Sequence, residues 1–365
     1  MLKIFSQILI LCALLSVMTV VVLLFYYNSS HLIYLPQADF LGNATNSFSN
    51  IIKKRLDKLL EKQSYVLNAG QQTEEPAPMD TLDPCPDHPQ NLIGPFSVDF
   101  SHSWTWNEVR RKISTPLQDG GRHKPADCVS KHKVAIIIPY RNRHEHLKHL
   151  LFYLHPMLVR QQLDYGIYVI NQDGEGVFNR AKLMNVGFAE ALKDYDYECF
   201  VFSDVDLVPM DDRNFYRCFE SPRHLSVAID KFNFQLPYNT IFGGVSSFSK
   251  QQFLTVNGYS NTYWGWGGED DDMYKRIIFH GMSINRPDHM TGKYKMIKHQ
   301  RDKNNEVNPK NPDKLFHTRE TMDKDGINTL NYTVKEIVKD RLYTFINVDI
   351  KAPKNILSVG MLKSV

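Results

Sequence analysis

Two aspartates, Asp204 and Asp206, stand one residue apart where the apolar run Phe200-Val-Phe-Ser ends. Adjacent carboxylates repel, so a site that keeps both ionised usually holds a cation. A buried strand would deliver them to a crevice at its C-terminal end. There they suit a divalent metal bridging a diphosphate. Asp-Val-Asp also occurs in ordinary turns, so its weight comes from its surroundings.

Those surroundings offer nucleotide chemistry. In Pro139-Tyr140-Arg141-Asn142-Arg143, two arginines flank an asparagine at a strand-to-helix turn. That pattern suits a phosphate or a nucleobase edge. Phe178-Asn179-Arg180 opens a second helix and adds a ring and a guanidinium. Taken singly, each also fits a capped helix with a solvated arginine. Together with Asp204 and Asp206 they outline a nucleoside-diphosphate crevice.

The stretch Tyr263-Trp264-Gly265-Trp266-Gly267-Gly268-Glu269-Asp270-Asp271-Asp272 is the most unusual in the chain. Glycines let a backbone approach a ligand closely, and tryptophans offer flat faces to sugar rings. The acids would start a helix, where they suit its dipole. Capping explains some of the acids but not the tryptophans and glycines before them. Met296-Ile-Lys-His299 pairs a common ligand with a thioether, a poor match for a hard cation. Spacing alone favours a structural methionine. His144-Glu-His146-Leu-Lys-His149 misses the zinc register, because Lys148 stands four after His144. It reads as a solvated helix face.

Alternating elements must position these groups. Val134–Pro139, Tyr165–Ile170, Phe200–Met210, Leu225–Ile229 and Ile241–Ser246 read as strands. Residues 143–162, 179–192 and 270–280 read as helices, the first with Leu147, Leu150, Leu151, Leu154 and Leu158 on one side. Strands alternating with helices predict an α/β domain in three layers, with a mostly parallel central sheet.

A net charge of +3 on 365 residues gives no case for nucleic acid. Five cysteines are too few for a disulfide scaffold. Cys12 lies in the apolar N-terminal run, and Cys85, Cys128, Cys199 and Cys218 leave three pairings open. Ile4 to Tyr27 carry no charge and are long enough to span a bilayer. No small-residue cleavage site follows, so an uncleaved anchor is expected over 4–27, with 1–3 cytoplasmic and the bulk lumenal. Residues 28–84 read as a polar stem, and the chain becomes globular over 85–365. Asn43 and Asn331 head glycosylation sequons consistent with a lumenal chain.

From Cys85 to about Ile350 these motifs resemble the β-1,4-galactosyltransferase family. The likeness is carried by Pro139-Tyr-Arg-Asn-Arg143, Phe178–Phe188, Phe202-Ser-Asp-Val-Asp206, Phe242-Gly-Gly-Val-Ser246, Trp264–Asp272 and Met296-Ile-Lys-His299. It implies a single catalytic domain of GT-A fold in a type II Golgi membrane enzyme that uses manganese and a UDP-sugar. It implies metal ligation by Asp206, Met296 and His299, overriding the structural reading of the methionine. It places Pro139 to Arg143, Phe178 to Arg180, Val205, Asp206 and Trp266 around the donor. His299, Gln300, Arg301 and Asp302 would lie on a loop closing over it. Gly268, Glu269, Asp270 and Asp271 would meet the acceptor, with Asp270 as catalytic base. The family's disulfides map to Cys85–Cys128 and Cys199–Cys218.

The sequence departs from the family pattern at two places. Ile241 stands where the galactose enzymes carry a tyrosine that limits room at the donor sugar's C2. This exchange resembles the invertebrate β-1,4-N-acetylgalactosaminyltransferases. It implies transfer of GalNAc from UDP-GalNAc to the 4-hydroxyl of a terminal β-GlcNAc. UDP-galactose with the same acceptor is the alternative, and a non-catalytic membrane-anchored lectin a remote one. Asn311-Pro312 replaces an Arg-Phe pair near the acceptor's N-acetyl group.

Overall fold

The computed structural model describes residues 82–113, 116–300 and 302–353. The expected anchor, most of the stem, Asn43 and Arg301 lie outside the described residues. Among the described residues no helix is long and apolar enough to cross a membrane.

The elements follow in order. They are α1 (Trp106–Lys112), β1 (Lys133–Tyr140), α2 (His144–Arg160), β2 (Asp164–Gln172), α3 (Arg180–Asp194), β3 (Cys199–Ser203) and β4 (Leu207–Pro209). Next come β5 (Arg223–His224), β6 (Ala228–Ile229), β7 (Val245–Ser249), α4 (Lys250–Thr255), α5 (Glu269–Phe279) and β8 (Lys293–Met296). The described chain closes with α6 (Asn311–Phe316), α7 (Thr318–Thr321), β9 (Thr333–Lys339) and β10 (Thr344–Asp349).

Among the described residues a seven-stranded sheet runs β5-β7-β3-β1-β2-β10-β9. Its centre is parallel: β1 lies between β2 and β3, and β10 runs alongside β2. Its flanks are antiparallel, at β7 against β3 and β5, and at β9 against β10. The β1 residues alternate between two cores. Ile136 and Ile138 pack with Leu147, Leu150, Leu151 and Leu154 of α2, and Ala135 and Ile137 pack with Leu183 and Val186 of α3. Helices on both faces of a sheet are the three layers expected. Gly187 seats α3 on β1, since a Cβ there would lie 2.2 Å from Ile137 Cγ2. Asn179 starts α3 by accepting a hydrogen bond from the Lys182 amide, 2.8 Å away. The bridges Cys85–Cys128 and Cys199–Cys218 are both formed.

Three expectations about strands are corrected. The run Phe200–Met210 is not one strand. It breaks after Ser203, and Leu207–Pro209 joins a second, three-stranded sheet of order β4-β8-β6. Asp204-Val205-Asp206 is therefore the link between two sheets. Leu225–Ile229 yields only short pieces, β5 and β6. Ile241–Gly244 precedes β7 rather than joining it, because Gly244 takes φ +82°, outside the extended range. The β9–β10 hairpin carries no clear apolar period. β9 is exposed nearly throughout, and Asn331 is exposed just before it.

Candidate active site

The inter-sheet link opens into a cleft of about 530 Å³. Pro139, Arg141 and Arg143 reach it from the end of β1, and Phe178 and Arg180 from the start of α3. Asp204, Val205 and Asp206 form its floor, while Met296, His299, Asp302 and Trp266 complete the wall. Tyr140, Asn142, Asn179, Ile241 and Gln300 do not line it. Tyr140 is buried, Asn142 and Gln300 are exposed, and Asn179 spends its side chain on Lys182 and Asn261.

The candidate metal ligands converge through backbone pairing. Leu207 of β4 faces Met296 of β8, and the Ile297 amide donates to the Asp206 carbonyl at 2.8 Å. His299 follows within reach: its Nε2 stands 3.1 Å from Asp206 Oδ2. Adjacent ligands at about 2.1 Å from an octahedral ion stand about 3 Å apart, so the pair fits one cation. His299 Nδ1 lies 2.6 Å from the Gln300 carbonyl, which would take its proton once Nε2 is given to a metal. A carboxylate and an imidazole suit a manganese-type ion, and the thioether is the soft third partner.

Arginines tie the surroundings together. Arg143 Nη2 donates to Asp302 Oδ2 at 2.6 Å and lies 2.8 Å from His299 Nδ1. Arg141 donates to the carbonyls of Gly176 and Lys303 and lies 5.0 Å from the centre of the Phe178 ring. The Phe178 amide donates to Asn304, and the Trp266 amide to Glu306. Segment 302–306 is thus strapped across the cleft to the donor-side loops.

The acidic stretch divides by role. Gly268 (φ +94°) precedes α5, a conformation that favours glycine. Buried Asp272 pairs with Arg276 at 2.7 Å and accepts from Tyr263 and Thr318. Asp271 accepts from the Tyr238 hydroxyl. Glu269 lies 3.4 Å from Arg180, and burial followed by the Asp270 charge pushes its pKa up to about 7. Arg180 also grips Asp204 at 2.5 Å, and burial raises that carboxyl to about 6. One guanidinium thereby joins the candidate metal floor to the acids of α5. Asp270 has no ion pair among the described residues, and its carboxylate rests on Gly243. A Cβ on Gly243 would lie 2.1 Å from Asp270 Oδ2. Gly243→Ala should therefore displace Asp270 and lower kcat by about tenfold or more. Affinity for UDP with manganese, measured by calorimetry, should stay near wild type. Asn311, at the other departure, is buried and donates to the Gly267 carbonyl at 2.6 Å.

Sequence reasoning missed two neighbours. Asp230 lines the cleft beside Lys231 and accepts from the Met296 amide at 2.9 Å. Its signal was present: an apolar run, Leu225–Ile229, ending in an acid, as at Asp204. His146 was expected to face solvent, but its ring lies 5.2 Å from that of His299. It stands three residues after Arg143, on the same face of α2.

Two family models match the chain. One, described as the N-terminal region of glycosyl transferase group 7, covers residues 85–219. The other, described as the N-terminal domain of galactosyltransferase, covers 223–300. The chain belongs to glycosyl transferase group 7. It is 60% identical to β-1,4-galactosyltransferase 1 of Mus musculus over 274 residues, covering 75% of this chain and 68% of that one. Its identity to β-1,4-galactosyltransferase 1 of Homo sapiens is 59% over 288 residues, or 78% and 72% of the two chains. Among solved structures it resembles a mutant of Drosophila β-1,4-galactosyltransferase 7, in complex with manganese, UDP-Gal and xylobiose. The TM-score is 0.53 at 29% identity, covering 61% of this chain and 95% of that one. The enzyme is thus a glycosyltransferase whose catalytic domain has the GT-A fold.

Proposed function

We propose that the enzyme is an inverting, manganese-dependent β-1,4-N-acetylgalactosaminyltransferase. It transfers GalNAc from UDP-GalNAc to the 4-hydroxyl of a terminal β-GlcNAc, giving GalNAcβ1-4GlcNAc. The observation that carries the reaction class is the Arg180 bridge between Asp204, next to the Asp206–His299 pair, and the helix bearing Asp270. A nucleotide diphosphate held at one end would present its sugar to a base at the other.

Asp206, Met296 and His299 would hold the manganese, which when bound neutralises charge building on the departing UDP. Arg141, Arg143 and Asp302 orient the nucleotide, and Phe178 and Trp266 offer it ring faces. Asp270 takes the proton from the acceptor's 4-hydroxyl as that oxygen attacks the anomeric carbon. An α-linked donor then gives a β-linked product in a single displacement, which needs one positioned base rather than a glycosidase's two carboxylates. The strap at 302–306 excludes water and limits donor hydrolysis. Gly268, Glu269, Asp271 and Asn311 shape the acceptor side.

Ile241 supports GalNAc over galactose. An isoleucine where the galactose enzymes have tyrosine leaves room for the N-acetyl group at C2. The likeness to β-1,4-galactosyltransferases favours a second reading, transfer of galactose to the same acceptor. Comparing kcat/KM for the two donors on a terminal GlcNAc acceptor tests the choice. Wild type should prefer UDP-GalNAc, and Ile241→Tyr should shift the ratio toward UDP-Gal by about 10- to 100-fold. A wild type that strongly prefers UDP-Gal would overturn the GalNAc assignment.

Residues 4–27 are assigned as a type II anchor in the Golgi membrane, 28–84 as a lumenal stem and 85–365 as the catalytic domain. Asn43 and Asn331 are the glycosylation sites of that lumenal chain.

A further inference from the structure

The segment 238–244 carries Ile241 and, two residues on, the Gly243 seat of Asp270. It belongs to no strand or helix. Its shape comes from outside. Arg286 Nη2 donates to the carbonyls of Asn239 at 2.9 Å and Ile241 at 3.0 Å. Arg286 Nε donates to His224 Nδ1 at 3.4 Å. With Nδ1 accepting, the ring proton sits on Nε2, which donates to the Gly243 carbonyl at 2.9 Å. Burial holds His224 down to about 3, so the ring stays neutral in this tautomer. The Ser226 hydroxyl donates to the same carbonyl at 3.1 Å.

The clamp is itself fixed. The His224 amide donates to the Asn285 carbonyl at 2.9 Å, which ties β5 to the residue before Arg286. Pro287 follows Arg286 and biases it toward extended backbone. All of Arg286's described hydrogen bonds go to this assembly. A half-buried guanidinium used entirely on one loop and the histidine that holds that loop is a device for setting the loop's position.

We propose that Arg286 and His224 are positioning residues that set donor selectivity through Ile241 and hold the seat of Asp270 through Gly243. The inference rests on the reading that Ile241 borders the donor sugar's C2 and that Asp270 is the base. One loop would then couple the choice of sugar to the placement of the base, although neither clamp residue touches substrate.

The test uses the full chain in detergent with Arg286→Ala, Arg286→Lys, His224→Ala and His224→Gln. For each, kcat and KM are measured with UDP-GalNAc and UDP-Gal, and UDP–manganese affinity is measured by calorimetry. Arg286→Ala should change the donor ratio by about tenfold and lower kcat by about tenfold, with UDP–manganese affinity near wild type. Arg286→Lys should restore part of the ratio. His224→Gln, which keeps an amide N–H for Gly243, should do better than His224→Ala. Thermal melting and near-ultraviolet circular dichroism separate repositioning from loss of folded protein. An unchanged donor ratio in folded Arg286→Ala, or parallel loss of UDP–manganese affinity, would overturn the proposal. The shift is read relative to wild type, whichever donor wild type prefers. A wild type preferring UDP-Gal would therefore remove the GalNAc assignment while leaving the clamp standing. A ratio that moves in Ile241→Tyr but not in Arg286→Ala would remove the clamp alone.

Discussion

Asp270→Asn should lower kcat by about 10²- to 10⁴-fold, the range that loss of a positioned general base costs. UDP–manganese affinity should remain near wild type, because the substitution keeps the side chain's size and lies on α5 rather than at the Asp206–His299 pair. The contrast matters because the acidic stretch holds other carboxylates already in use. Asp272 is locked in a buried pair with Arg276, Asp271 takes the Tyr238 hydroxyl, and Glu269 faces Arg180. Asp272→Asn should instead lower stability, since it weakens the partner of a fully buried guanidinium. Steady-state kinetics with calorimetric UDP–manganese binding check the Asp270 result. Retained wild-type turnover would remove Asp270 from the base role.

Asp206→Asn should lower manganese affinity by about a hundredfold or more, because loss of an outer-sphere partner alone often costs 10- to 100-fold. Turnover should fall with it at limiting manganese. His299→Ala should act likewise, since Nε2 stands 3.1 Å from Asp206 Oδ2. Met296→Leu should cost less, because a thioether contributes little to a hard cation. Electron paramagnetic resonance of free Mn²⁺ measures each affinity without reference to activity. Equal affinity in wild type and Asp206→Asn would place the metal elsewhere.

What the sequence made legible follows from how each residue is used. β1, α2, β2 and α3 were readable because their apolar residues form either unbroken runs or a helical stripe. The break after Ser203 was not. Leu207-Val208-Pro209 continues the apolar run of β3, and only pairing with Lys293–Met296, far along the chain, assigns it to another sheet. That same pairing sets Met296 beside Asp206, which is why spacing alone favoured a structural methionine and only family resemblance named it a ligand. His146 was assigned to solvent because a helix face shows its period but not what packs on it. Asp230 carried the same apolar-run-then-acid signature as Asp204 and was passed over. The Arg286 clamp was illegible in principle, since its bonds go to main-chain carbonyls that no residue type advertises.

The most direct measurement is anomalous diffraction at the manganese edge from crystals grown with UDP and Mn²⁺. The account predicts one ion bonded to Asp206, Met296 and His299, bridging the diphosphate, with the uridine toward Arg141 and Phe178. An ion away from Asp206, or UDP bound outside this cleft, would contradict it.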